Sequence, residues 1–193
     1  MRLAYRLACV LVRAGASAAT VTLVGIAASV GALAAGFFHA QYWIFVAAGL
    51  VMIAAVADTL DSAIIVLTGR LTRLGYIYNS VADRIVEACW LGALVFAGAP
   101  GWLAAAAGGV SWLHEYVRAR AIAAGMNSTG EVTMGERPMR VIVAVAGLTL
   151  SGLTALISTD LGVGAAAMAG TVWLLLGIGG FIQLLDAVHD ALG

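Results

Sequence analysis

Charge is what this sequence has least of. Asp, Glu, Lys and Arg together make up 10% of its 193 residues, and lysine is absent, so every basic residue is an arginine. A water-facing globule carries roughly 25–35% charged residues on its surface, and so little charge excludes a soluble domain. Cysteine is scarce as well. Cys9 and Cys89 are the only two, and both sit in apolar runs. They read as buried thiols, and a disulfide framework is excluded. The net charge is zero, so the basic excess that nucleic-acid binding relies on is missing too.

What fills the chain instead is apolar. Hydrophobic residues make up 63% of it and the mean hydropathy is +1.03. Stretches of about 20 residues, each long enough to cross the hydrocarbon of a bilayer, recur from end to end. The 24 glycines and many alanines suit membrane helices, whose backbones approach closely where side chains are small. The pattern predicts six transmembrane helices, over about 17–38, 41–68, 76–97, 100–124, 138–158 and 161–190. No connection is long enough to separate one domain from another and no internal repeat is visible, so residues 1–193 read as a single domain. Residues 1–16 open it. Their apolar run, Leu7 to Val12, is too short for a secretory signal and is interrupted by Arg13. An amphipathic juxtamembrane helix with Arg2, Arg6 and Arg13 outward is the better reading. The expected fold class is therefore an all-α integral membrane protein.

The arginines set its orientation. Arg2, Arg6 and Arg13 precede the first span, Arg70 and Arg73 lie between the second and third, and Arg84 is two turns into the third. Arg118, Arg120, Arg137 and Arg140 flank the connection from the fourth to the fifth. With six spans, all of these fall on one side of the membrane, which the positive-inside rule makes cytoplasmic, with both termini.

Asp58 and Asp61 lie late in the second apolar run, and Asp83 and Glu87 lie in the third, after Asn79. An ionised carboxylate in a membrane helix costs several kcal/mol unless compensated, which marks such residues as functional. Asp58 and Asp61 are spaced i,i+3 and Asn79 and Asp83 i,i+4, so each pair shares a helix face. A short turn between the two helices brings both pairs toward the cytoplasmic end. Three carboxylates and an amide oxygen make an oxygen-only site suited to Mg²⁺ or Mn²⁺. The plainer alternative is that the acids pair with Arg70, Arg73 or Arg84 as anchors at the membrane surface.

These residues resemble the signature of the CDP-alcohol phosphatidyltransferases, D-x-x-D-G-x-x-A-R, eight residues, then G-x-x-x-D-x-x-x-D. The chain reads Asp58-Thr-Leu-Asp61-Ser62-Ala-Ile-Ile65-Val66, eight residues, then Gly75-Tyr-Ile-Tyr-Asn79-Ser-Val-Ala-Asp83. A second stretch, with Tyr116, Arg118, Arg120, Gly125 and Glu136-Arg137-Pro138-x-Arg140, is similar to the cytoplasmic ends of helices four and five in phosphatidylglycerol- and phosphatidylinositol-phosphate synthases. The resemblance implies a bacterial-type inner-membrane enzyme of six helices, a homodimer, that moves a phosphatidyl group from CDP-diacylglycerol to an alcohol or polyol-phosphate acceptor and releases CMP. It implies metal ligation by Asp58, Asp61, Asn79 and Asp83, with Asp83 as the base. The nucleotide would lie against Asp58, Asp61, Ser62 and Gly75, and the acceptor phosphate against Arg118, Arg137 and Arg140 at the cytoplasmic mouth.

The chain departs from that signature at three places. Ser62 stands for its glycine, Ile65-Val66 for its Ala-Arg, and Asn79 for its third aspartate; in addition Ala18-Ala19 replace the Pro-Asn before the first helix. Asn79 keeps an oxygen but removes a charge from the metal cage, and Val66 removes a cation near the phosphates. A second reading rests on these positions: a family member without transferase activity, serving as a partner subunit or lipid-binding protein. A small transporter is disfavoured, because its charged groups would run through the midplane. His114 and Glu115 read as interfacial hydrogen-bonding groups, Trp43, Trp90, Trp102, Trp112 and Trp173 as packing and interface anchors, His39 as an outer-loop residue and Glu131 as a solvated one.

Overall fold

A computed structural model describes residues 2–38, 41–69, 72–126 and 136–192 of the chain. His39, Arg70 and Glu131 lie outside the described residues. Those described form seven α-helices: α1 (Arg2–Arg13), α2 (Ala18–Phe37), α3 (Gln41–Thr68), α4 (Arg73–Phe96), α5 (Gly101–Ala123), α6 (Arg137–Ala155) and α7 (Thr159–Leu192). Six long helices thus stand where hydropathy places them. Four of them, α2, α3, α6 and α7, are long and apolar enough to cross a membrane. Leu23, Val24, Met52, Ile53, Leu175 and Ile182 all point outward, an arrangement that hydrocarbon favours and water does not. The chain is a multi-pass membrane protein.

Helix ends follow local chemistry. Thr72 caps α4, its Oγ1 accepting the Gly75 N–H at 3.0 Å, and this starts the helix at Arg73, earlier than hydropathy suggests. Ser17 does the same for α2 through the N–H of Thr20. Ahead of it, α1 packs on α3 through the buried Ala8, with Arg6 and Arg13 exposed.

α2 packs on both α3 and α4, α7 packs on both α5 and α6, and α3 joins the two groups by lying along α6. Alanines and glycines dominate the seams, as in Ala28, Ala32 and Ala35 of α2 and Ala166 and Ala169 of α7. Two tryptophans fill the interior. Trp90 donates its indole N–H to Ser29 Oγ at 3.1 Å, and Trp173 donates to Ser111 Oγ at 3.0 Å. Both are packing residues, whereas Trp102 is 71% exposed. The α6–α7 seam is close-packed. A Cβ on Gly147 would collide with the side chain of Ala169, and Ser151 Oγ donates to the Gly162 carbonyl at 2.8 Å. Gly147→Val is accordingly expected to destabilise the bundle by about 1–3 kcal/mol, read as a lowered midpoint of thermal unfolding in detergent.

Candidate active site

Asp58 and Asp61 on α3, Asp83 on α4 and Thr22 on α2 line one cleft, and Arg137 of α6 lines it with them. The i,i+3 spacing turns both α3 acids toward it, as expected from the sequence. Asp61 is the deepest, 2% exposed. Its Oδ2 accepts from Thr22 Oγ1 at 2.8 Å and its Oδ1 from Ser62 Oγ at 3.3 Å. Arg137 then ties the other two acids together. One of its terminal nitrogens bonds Asp58 Oδ1 at 2.9 Å and also Asp83 Oδ1. Asp58 and Asp83 are therefore paired by an arginine of α6, while of the neighbours the sequence offers, Arg84 pairs with Glu87 and Arg70 lies outside the described residues.

Asn79 departs from expectation. It is half-buried on α4 and is not part of the cleft's lining. Four residues of α-helix place it about 6 Å along the axis from Asp83, a full turn nearer the start of α4. Ser62 is an exposed neighbour of Asp61, and Val66 is 80% exposed at the end of α3. The Gly75 N–H serves the Thr72 cap, and a Cβ there would come within 2.9 Å of Thr72 Oγ1.

One turn deeper lies a second group of charges. Glu87 of α4 is 0% exposed and Arg140 of α6 is 3% exposed. They form an ion pair of 2.7 Å, with Arg84 at 3.4 Å from Glu87 and Glu115 at 3.4 Å from Arg140. Asp83–Arg137 and Glu87–Arg140 are thus successive rungs between the same two helices. Arg140 belongs to the bundle interior and not to the mouth where the resemblance places it, because two carboxylates hold it there. His114 is buried beside this group, its Nδ1 3.8 Å from Glu115. Nearer the surface, Arg118 bonds Glu136 at 3.0 Å. Thr22 and the Glu87–Arg140 rung went unnoticed in the sequence; the one available signal was a hydroxyl and an arginine inside otherwise apolar helices.

Three carboxylates on one cleft are hard oxygen donors of the kind Mg²⁺ and Mn²⁺ take. None of their oxygens is among the buried atoms left without a partner, so those not engaged by Arg137, Thr22 or Ser62 are open to the cleft. The donor chemistry fits a divalent ion. The cage itself is not closed: among the described residues no three metal-ligating side chains are gathered around one point, and Arg137 bonds both Asp58 and Asp83.

No family model matches the chain. It is 34% identical over 158 residues to the phosphatidylinositol phosphate synthase of Mycobacteroides abscessus, covering 76% of this chain and 68% of that protein. To the enzyme of the same name from Mycolicibacterium smegmatis it is 32% identical over 154 residues, covering 73% of this chain and 65% of that one. The matches span about two thirds of these relatives' length. Among solved structures, the phosphatidylinositol phosphate synthase of Mycobacterium tuberculosis with CDP-DAG bound superposes with a TM-score of 0.74 at 26% identity, over 100% of this chain and 96% of that one. The same enzyme in complex with manganese and citrate gives a TM-score of 0.75 at 24% identity, over 98% and 90%. With the signature spacing, the shared fold and a curated relative 34% identical over most of its length, the chain belongs to the CDP-alcohol phosphatidyltransferase family.

Proposed function

We propose that the chain transfers a phosphatidyl group from CDP-diacylglycerol to the hydroxyl of a polyol phosphate, with release of CMP, in the synthesis of membrane phospholipid. The observation that carries this is the meeting of Asp58, Asp61 and Asp83 in one cleft at one end of the bundle. A bound Mg²⁺ or Mn²⁺ supplies charge that polarises the donor pyrophosphate and stabilises the leaving CMP. Asp58, Asp61 and Asp83 would hold it, with the Asn79 amide one turn away along α4. Asp83 takes the proton of the acceptor hydroxyl as its oxygen bonds the phosphatidyl phosphorus, and the bond from that phosphorus to CMP breaks. The nucleotide lies toward Asp58, Asp61, Ser62 and the start of α4 at Gly75. The acceptor phosphate is drawn by Arg118 and Arg137 at the mouth, while Arg140 pairs with Glu87 in the interior.

In the finer topology, α2 to α7 all span the membrane and α1 lies on its surface. The arginine-rich end faces the cytoplasm with both termini, in the inner membrane of a bacterial-type cell. The whole chain is one domain, and two copies pair. The partner-subunit reading keeps one observation in its favour: Asn79 stands off the cleft while Arg137 bridges two of its acids. A product assay of the purified chain with CDP-diacylglycerol and a panel of alcohols separates the two. Lipid product and CMP should form with a polyol phosphate, and only when Mg²⁺ or Mn²⁺ is present. No product from any acceptor would favour the partner subunit.

A further inference from the structure

We infer that α1 is a docking surface for anionic phospholipid headgroups, and that their binding steadies the stretch of α3 that carries Asp58 and Asp61. The inference rests on the reading above that α1 lies on the membrane surface, and it adds what the helix recognises there. The arginines of the chain fall into two sets. Arg84, Arg118, Arg137 and Arg140 each bond a carboxylate. Arg6 and Arg13 of α1 are exposed, and among the described residues no salt bridge joins either of them to an acid. α1 itself contains no acidic residue.

The two arginines share one face of the helix. Two turns separate them, which sets them about 20° apart around the axis and about 10 Å apart along it. The opposite face is taken. Ala8 is fully buried in a cluster with Ala57 and Ile64 of α3, and Leu11 and Val12 pack around it. Among the described residues α3 is the one helix that α1 contacts. Between the two faces Leu7 and Val10 stay exposed, an apolar flank for the acyl boundary and continuous with the lipid-facing surface of the bundle. Guanidinium groups pair with phosphate through two parallel hydrogen bonds, and each arginine near an anionic membrane surface strengthens attachment about fivefold. The effect reaches the cleft because Ala57 and Ile64 belong to the same two turns of α3 that carry Asp58 and Asp61. Headgroups that hold α1 hold one wall of the cleft from behind.

The test is hydrogen exchange of the full-length protein in lipid nanodiscs, one set of phosphatidylcholine alone and the other with phosphatidylserine added. Amides of α1 should exchange about 25-fold more slowly with phosphatidylserine, about fivefold for each arginine, and those of residues 60–68 should slow with them. Molar salt, which shortens electrostatic reach to about 3 Å, should erase the difference. The double variant Arg6→Gln with Arg13→Gln should erase it too, and where that variant fails to fold the salt comparison decides. Exchange of α1 that is slow in both lipids would overturn the inference and leave the helix on the membrane. Exchange that is fast in both would remove the surface reading along with it. Slowing that the double variant retains would assign the lipid contact to other arginines and overturn the inference. Slowing confined to α1 would overturn the link to α3.

Discussion

Asp83→Asn is expected to lower turnover by about 10²–10⁴-fold, the usual contribution of a positioned general base, in a protein that still folds. The substitution keeps the size and one oxygen of the side chain and removes the ability to accept a proton. Folding should survive because the bundle does not depend on this acid. Arg137 keeps Asp58 as a partner at 2.9 Å, and the deeper ion pair between α4 and α6 is untouched. The measurement is product formed at saturating donor and metal, beside thermal unfolding of the same preparation. A large fall in kcat at unchanged unfolding temperature assigns Asp83 to the chemistry. Product formation at the parent rate would sink the mechanism.

The second large effect belongs to stability. Arg140→Ala should cost about 3–5 kcal/mol, the range found when one partner of a buried ion pair is removed. Glu87 is 0% exposed, and without Arg140 it would keep only Arg84, at 3.4 Å. Glu87→Ala should cost less, because Arg140 retains Glu115. Against a total stability of roughly 5–15 kcal/mol, either loss is large. Replacing both residues with methionine should recover most of it, since removing the pair together leaves no charge unmatched. Unfolding in detergent reads all three variants. If the double replacement is as unstable as Arg140→Ala, the pair contributes through its shape and not its charge.

The sequence made the long helices legible because each is an apolar run of at least the length a bilayer requires or close to it. Their ends were less so. α4 begins at Arg73 because the hydroxyl of Thr72 caps it, a local bond that hydropathy does not register. In the site, Asp58 and Asp61 were readable because i,i+3 spacing fixes two side chains on one face whatever surrounds them. Asn79 shows the limit of the same rule. Sharing a face with Asp83 did not bring it to the same depth, and one turn of helix was enough to leave it off the cleft. Arg137 and Arg140 could be seen as cytoplasmic charges but not as partners of Asp58, Asp83 and Glu87. That pairing depends on α6 lying beside α3 and α4, a neighbourhood that helical spacing along one segment does not encode. Thr22 was invisible for the same reason, since its bond to Asp61 crosses 39 residues.

The order in which these groups leave the ribosome gives the two rungs another meaning. Asp58, Asp61, Asp83 and Glu87 are all synthesised before Arg137 and Arg140, and chains fold from the N-terminus as they are made. Among the described residues that precede α6, Thr22, Ser62 and Arg84 bond these acids. α3 and α4 therefore carry acids whose arginine partners come later in the chain. A single helix then brings both missing countercharges, three residues apart on its first turns. α6 is thus the helix that completes the pairing of the acids on α3 and α4.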